Sequence, residues 1–340
     1  MKTRRGFCAA AAGGLVASAL PRRLFAAGAR KRVAIVMFVN SDDTDSPKEV
    51  DDYVREPFLE PLAELGLRDG RDLDLVPVPV RLRSDWGESA PKAAGEVARG
   101  NFDAAIVEGE FLVRYIQAAS PKLAIVAGLL DPISSGLAKT LAKPGGNVTG
   151  TYRGAYEVAL KQIDFLRRIV PGTSRMAWLS FTPQLHVSWP PFAAAARASD
   201  MQVRQILFGE YVNGEFQGLA RDFASLRKDR IGCLHFHGGI DIDINPVSDL
   251  ALKHRIAVSF AGPLGMFKRE GLLLQYRSKS EGDERRIVAA LAKVLAGTPP
   301  GDIPFEGHNV FSLRLNLRTA ARIGVTVPND LLIAADEVIR

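Results

Sequence analysis

Short, fully apolar runs alternate with amphipathic stretches along nearly the whole chain, and this alternation restricts the fold more than any other feature. Val33, Ala34, Ile35, Val36 and Met37 form a continuous apolar run. Runs of this kind mark strands of parallel sheets covered on both faces. An amphipathic helix is expected over 50–67, a strand over 73–80, a helix over 90–99, a strand over 102–107, a helix over 110–119 and a strand over 123–130. Pro77 and Pro79 push the second of these strands towards a sheet edge, because proline gives no N–H to the ladder. A short helix is expected over 134–141. The cycle then restarts, with helices over 157–170, 192–199, 216–226 and 247–254 and strands over 176–181, 203–208, 231–236 and 256–260. A long helix over 281–295 and helices around 319–323 and 330–338 complete the chain. Two halves of about four strands each, with helices between them, give an α/β protein of two doubly wound, Rossmann-like lobes.

The first 29 residues stand apart. A basic start is followed by an unbroken small and apolar stretch from Phe7 to Leu20, and Ala27-Gly28-Ala29 supplies an A-x-A cleavage site. Thr3-Arg4-Arg5-Gly6-Phe7 resembles the twin-arginine export motif, and Arg22 and Arg23 lie just before the cleavage site. The expectation is a signal peptide of twin-arginine type over 1–29, cleaved after Ala29, and a periplasmic protein. Cys8 has no lipobox before it, which argues against a lipoprotein.

Cleavage changes the charge balance. The chain has 44 Lys and Arg against 38 Asp and Glu; five of the basic residues and none of the acids fall in the first 29, leaving 39 against 38. No strongly basic domain remains to suggest nucleic acid. Of the two cysteines only Cys233 survives, so no intramolecular disulfide is expected.

Motifs of chemistry are sparse. His235-Phe236-His237-Gly238-Gly239 sets two histidines on one face of a strand, but His186, His254 and His308 sit in no ligand spacing with them. His-Gly-Gly is similar to an esterase oxyanion loop, yet the chain has no G-x-S-x-G elbow. Lys143-Pro144-Gly145-Gly146-Asn147 lacks the Lys-Ser/Thr ending of a phosphate loop and reads as a turn into a crossing between the lobes. Asp42, Asp43 and Asp45 are too few for a Ca²⁺ loop. No catalytic residue, metal or cofactor is expected.

Four blocks carry a family resemblance. They are Leu65-Gly66-Leu67-Arg68-Asp69-Gly70-Arg71-Asp72-Leu73; Asp131-Pro132, Gly136-Leu137 and Leu141 to Gly150; Leu295-Ala296-Gly297-Thr298-Pro299-Pro300-Gly301-Asp302-Ile303-Pro304; and Asn316 to Pro328 with Leu331-Leu332 and Ala335 to Ile339. In this order they resemble the ABC-transporter solute-binding proteins of the tryptophan-binding-like type. The resemblance implies a type I periplasmic-binding fold whose two lobes are joined by a multi-strand hinge. One lobe would comprise 31–150 with about 275–310, the other 151–274 with about 311–340. It also implies a small-molecule ligand in the interlobe cleft, an ABC permease in the inner membrane as partner, a monomeric mature chain and no enzymatic activity. A ligand-sensing module for a signalling receptor and a twin-arginine-exported enzyme are the alternative readings.

Ligands of open α/β sheets bind beyond the carboxyl ends of strands. That rule selects Asn40, Ser41 and Asp42, then Glu108, Gly109 and Glu110, then Asp131 in the first half. In the second it selects Phe181, Thr182 and Trp189, then Gly239 and Asp241, then Gly262. The family commonly has Gly-Thr or Gly-Ser after the third strand, as donors for a ligand carboxylate. Glu108 and Glu110 replace them here, so a ligand carrying an amine, or a neutral polar one, is expected if both face the cleft.

Overall fold

The computed structural model describes residues 30–39, 46–81, 86–180, 188–207, 211–212, 215–237, 243–262, 264–279 and 282–340. Its first half runs β1 (Lys31–Val39), α1 (Pro47–Glu64), β2 (Leu73–Arg81), α2 (Trp86–Arg99), β3 (Ala104–Glu108), α3 (Gly109–Ala119), β4 (Ala124–Leu129) and β5 (Val148–Tyr152). The chain continues through α4 (Ala155–Ile169), β6 (Arg175–Ser180), α5 (Trp189–Ala198) and β7 (Gln202–Leu207). A small hairpin, β8 (Tyr211–Val212) and β9 (Glu215–Phe216), precedes α6 (Leu219–Lys228), β10 (Cys233–His237), α7 (Asn245–His254), β11 (Ala257–Ala261) and β12 (Leu274–Ser278). The remainder is α8 (Asp283–Leu295), β13 (Glu306–Gly307), β14 (Phe311–Asn316), α9 (Leu317–Ile323), α10 (Asn329–Ala334) and β15 (Glu337–Ile339).

Two sheets result, one of six strands in the order β13-β5-β4-β3-β1-β2 and one of seven in the order β15-β14-β12-β11-β10-β6-β7. All pairings in both are parallel except β12 with β14. β2 lies at an edge, as its prolines require. The apolar runs are explained by burial on both faces. In β1, Val33 and Ile35 join one core with α1 and α8, while Ala34 and Val36 join another with α2 and α3. In β6, Met176 and Trp178 face α4, α5 and α9, while Ala177 and Leu179 face α6 and α7. Each sheet is thus sandwiched between helical layers, the doubly wound α/β architecture expected from the sequence.

The motif blocks are structural joints. Gly145 donates to the carbonyl of Gly301 (3.0 Å), Phe305 to that of Leu141 (2.8 Å), and the Thr149 hydroxyl to that of Ile303 (2.8 Å). A Cβ on Gly301 would sit 2.7 Å from the Gly146 carbonyl oxygen, so the second and third blocks meet backbone to backbone. In the last block, Asn316 caps α9 by accepting from the Thr319 N–H (3.1 Å), and the Thr319 hydroxyl accepts from the Gly271 N–H (2.9 Å).

Three expectations change. Residues 134–141 form turns instead of a helix: Gly136 takes φ +72°, the Leu137 and Ala138 amides fold back to the Pro132 carbonyl, and the Lys139 amide turns to that of Pro144. The expected helix over 330–338 stops at Ala334, and Glu337–Ile339 adds a strand beside β14. β5, β12 and β14 were not expected as strands, since none carries a continuous apolar run: they read VTGTY, LQYRS and FSLRLN. β12 also places residues 274–278 in the second sheet, so the return to the first sheet begins after Ser278.

Gly150 is the tightest point of the first sheet. Its φ is +138°, and a Cβ there would lie 2.0 Å from the Ala127 carbonyl oxygen on β4. Gly150→Ala is expected to cost about 2–4 kcal/mol, read as a lower midpoint in urea unfolding; an unchanged midpoint would contradict this packing.

Candidate functional site

The chain passes between the two sheets three times: from β5 to α4, from β12 to α8, and from β13 to β14. His308 touches all three passages. Its N–H donates to the Tyr152 carbonyl (3.1 Å), its Nδ1 lies 2.6 Å from the Lys279 carbonyl, and its Nε2 lies 2.5 Å from Asp283 Oδ1 at the start of α8. The imidazole of His308 is completely shielded from solvent and Asp283 is nearly so. Lys279 in turn donates its N–H to the Val310 carbonyl (2.8 Å). The carboxyl ends of β5 and β12 are therefore drawn together at one knot. A candidate ligand site beyond the strand ends lies beside it.

Asn40, Ser41, Asp42, Phe181, Thr182, Gly239 and Asp241 lie outside the described residues. Of the others, Glu108 ends β3 and precedes α3, and its carboxylate accepts from the Phe38 N–H at the end of β1 (3.0 Å). Gly109 follows with φ +74° and open space where a Cβ would be. Glu110 is 1 % exposed; its Oε1 accepts from the N–H groups of Leu130 (2.7 Å) and Asp131 (2.8 Å). It holds the turn after β4 in place of a backbone acceptor. Burial raises the pKa of both glutamates. The expected preference for a cation required both carboxylates to face the cleft, and burial inside the turn removes Glu110 from that role.

In the second half, Trp189 opens α5 and is half-buried, its ring 5.2 Å from that of Trp178. It packs onto the core beneath α4 and α5. Gly262 follows β11, and its carbonyl accepts from Gln275 Nε2 on β12 (2.9 Å). His235 and His237 share the Trp178 face of β10, as their spacing predicts. His235 stacks on Phe192 (4.6 Å between centroids) and its Nδ1 lies 2.7 Å from the Ser259 hydroxyl. Burial pushes the His237 pKa down to about 4 and that of His235 well below its usual range. Both rings are thus neutral near pH 7. Among the described residues, no group of three or more His, Cys, Asp or Glu side chains is placed to hold a metal ion.

Several residues at the strand ends escaped the sequence reading. Arg153 directly follows β5 and is exposed; Arg277, near the end of β12, is half-buried. Burial first, then the positive charges of Arg153 and Arg314, lower the Arg277 pKa. Gln275 is fully buried on the same face of β12 as Arg277, and among the described residues its Oε1 has no hydrogen-bond partner. Arg314, opposite Gln275 on β14, lies 3.3 Å from the Glu337 carboxylate. These positions could be found only once β5, β12 and β14 were recognised as strands.

This two-sheet architecture with its strand ends gathered at a triple crossing is the type I periplasmic-binding fold. It is shared with a protein from Streptococcus pneumoniae described as an ABC domain in complex with L-Trp, at 18 % identity and a TM-score of 0.67, over 91 % of this chain and 100 % of that one. A ligand-free, open substrate-binding protein with adhesive properties from Clostridium difficile matches at 19 % identity and 0.61, over 91 % and 99 %. A 5-methylthioribose transporter solute-binding protein from Thermotoga lettingae, in complex with 5-methylthioribose, matches at 13 % and 0.52, over 93 % of each chain. No protein-family model matches the sequence, and no curated protein sequence does.

Glu110→Ala is expected to cost about 2–4 kcal/mol in urea unfolding, because two amides lose their acceptor, whereas Glu110→Gln should stay within about 1 kcal/mol of the parent. The raised pKa adds a pH signature. The folded protein holds this proton more tightly than the unfolded chain, so its stabilising contribution is full below the ordinary carboxylate pKa and is lost as pH rises through the folded value. Glu110→Gln should therefore gain on the parent as pH rises; a parallel pH profile would contradict the assignment.

Proposed function

We propose that this protein is the substrate-binding component of an ABC transporter, acting in the periplasm after twin-arginine export. It captures a small molecule between its two lobes and delivers it to a permease in the inner membrane. The observation that carries the reading is the fold itself: the likeness to solute-binding proteins extends over 91 % of the chain, and one such neighbour holds L-Trp. The physical argument is independent of the likeness. Two open parallel sheets whose carboxyl strand ends approach one crossing leave a cleft that closes by rotation about that crossing.

On this reading the lobes are the two sheets with their helices. The segments that follow β1, β6 and β10 in sequence, with Asn40, Ser41, Asp42, Phe181, Thr182, Gly239 and Asp241, supply ligand contacts from both sides. Glu108, Gly109, Asp131 and Gly262 form the walls at the strand ends, and Trp189 supports the second lobe from behind. The chain performs no chemistry of its own; binding energy is converted into closure, and the closed form is what the permease recognises.

The test is a thermal-shift screen of small molecules on the mature chain, followed by calorimetry of those that stabilise it. Binding of one molecule per chain, with a smaller radius of gyration in small-angle scattering, is the expected result. Turnover of a stabilising compound, or binding without compaction, would overturn the reading.

A further inference from the structure

The solute-binding reading leaves the ligand's chemistry open, and the crossing region narrows it. Arg153 is one residue beyond Tyr152, whose carbonyl accepts from His308. Arg277 is two residues before Lys279, whose carbonyl lies 2.6 Å from the same imidazole. The knot at His308 therefore draws together the strand ends that carry Arg153 and Arg277, one from each sheet, and the charge of Arg153 is felt at Arg277.

Neither guanidinium meets a carboxylate among the described residues. Among the described residues, the one side-chain hydrogen bond of Arg277 runs from Nε to the carbonyl of its neighbour Ser278, at a long 3.3 Å. Arg314, the third arginine nearby, has Glu337. Among the described residues, none of the nearby carboxylates forms an ion pair with Arg153 or Arg277. Asp131 accepts from Ile133 and Ser134; Glu108 accepts from the Phe38 amide, and Arg153 is near enough to lower a pKa that burial raises, but forms no ion pair with it. Glu157 lies in the first turn of α4. Two like charges gathered at a fold's crossing, one of them half-buried, oppose each other unless an anion joins them.

A second observation points the same way. Gln275 precedes Arg277 by two residues and so shares its face of β12. Its Nε2 is bound to the Gly262 carbonyl, while Oε1 is buried without a partner among the described residues. A buried acceptor left open calls for an O–H or N–H donor.

We propose that Arg153 and Arg277 form an anion-recognition pair between the lobes, taking the carboxylate or phosphate of a small organic solute whose neighbouring O–H or N–H reaches Gln275. Paired guanidinium groups suit planar and tetrahedral oxyanions alike, through parallel N–H···O bonds. Because one arginine comes from each side of the crossing, the anion also favours the closed form. The inference rests on the solute-binding reading and specifies the ligand class.

The experiment is calorimetry on the mature chain at low and high ionic strength. The probes are succinate, malate and glycerol 3-phosphate, with ribose and putrescine as neutral and cationic counterparts. At least one anion should bind one per chain and weaken with salt, and the carboxylate and phosphate arms separate the two sources. Arg277→Gln and Arg153→Gln should each weaken that binding by about tenfold or more, and Arg277→Lys by less. Thermal unfolding of each variant in the absence of probe checks that it is folded. Ribose or putrescine binding with compaction, unaffected by either Gln variant, would overturn the anion pair while upholding solute binding. No response to any probe, together with only neutral or cationic small molecules released from the denatured native protein, would overturn it as well. Release of no small molecule, and no compaction with any compound screened, would overturn the solute-binding reading itself.

Discussion

His308 is where the two halves of this protein are tied. A single imidazole, shielded from water, stands against the carbonyl that ends β5, the carbonyl that follows β12 and the carboxylate that begins α8. Every route of the chain between the sheets passes through this knot. Strand ends that would otherwise belong to independent lobes are held within reach of one another. The joint resists separation, because loss of any one contact strands a buried polar group.

The rest of the site is arranged around that constraint. The first sheet contributes an amide-holding carboxylate at Glu108, a turn fastened internally by Glu110, and the exposed Arg153. The second contributes Gln275, Arg277 and the glycine after β11. The sheets themselves are rigid, each buried on both faces by helices. Under the proposed function, closure would take place at the crossings.

Much of the layered fold was legible in the sequence, and for a simple reason. Strands buried on both faces must be apolar at successive positions, and Val33 to Met37 meets that condition throughout. The prolines of β2 announced an edge. What was not legible lies at the crossings. β5 needs Gly150 to pass under the Ala127 carbonyl, and β12 and β14 are half-polar because one face of that antiparallel pair carries Gln275, Arg277, Ser312 and Arg314. Such strands have no apolar run; β12 and β14 carry the period-two alternation of a half-buried strand instead, as in LQYR and FSLRLN. The candidate site was legible only as positions after strands. Glu110 shows the limit of that rule: its place in the sequence suggested a wall of the cleft, but two unsatisfied amides after β4 claimed its carboxylate. The motif blocks that carried the family resemblance were similarly ambiguous, and the structure assigns Gly145, Gly301 and Asn316 to backbone joints.

The most direct test of the account is the distance between the lobes in solution. Cys233 is buried, and Cys8 lies in the expected signal peptide. Spin labels on cysteines introduced at the exposed Lys92 on α2 and Arg221 on α6 would therefore report one inter-lobe distance by pulsed electron resonance. With a stabilising ligand at saturation, the distribution should narrow and move to a shorter mean. A distribution unchanged by a ligand shown to bind would contradict closure about the His308 knot.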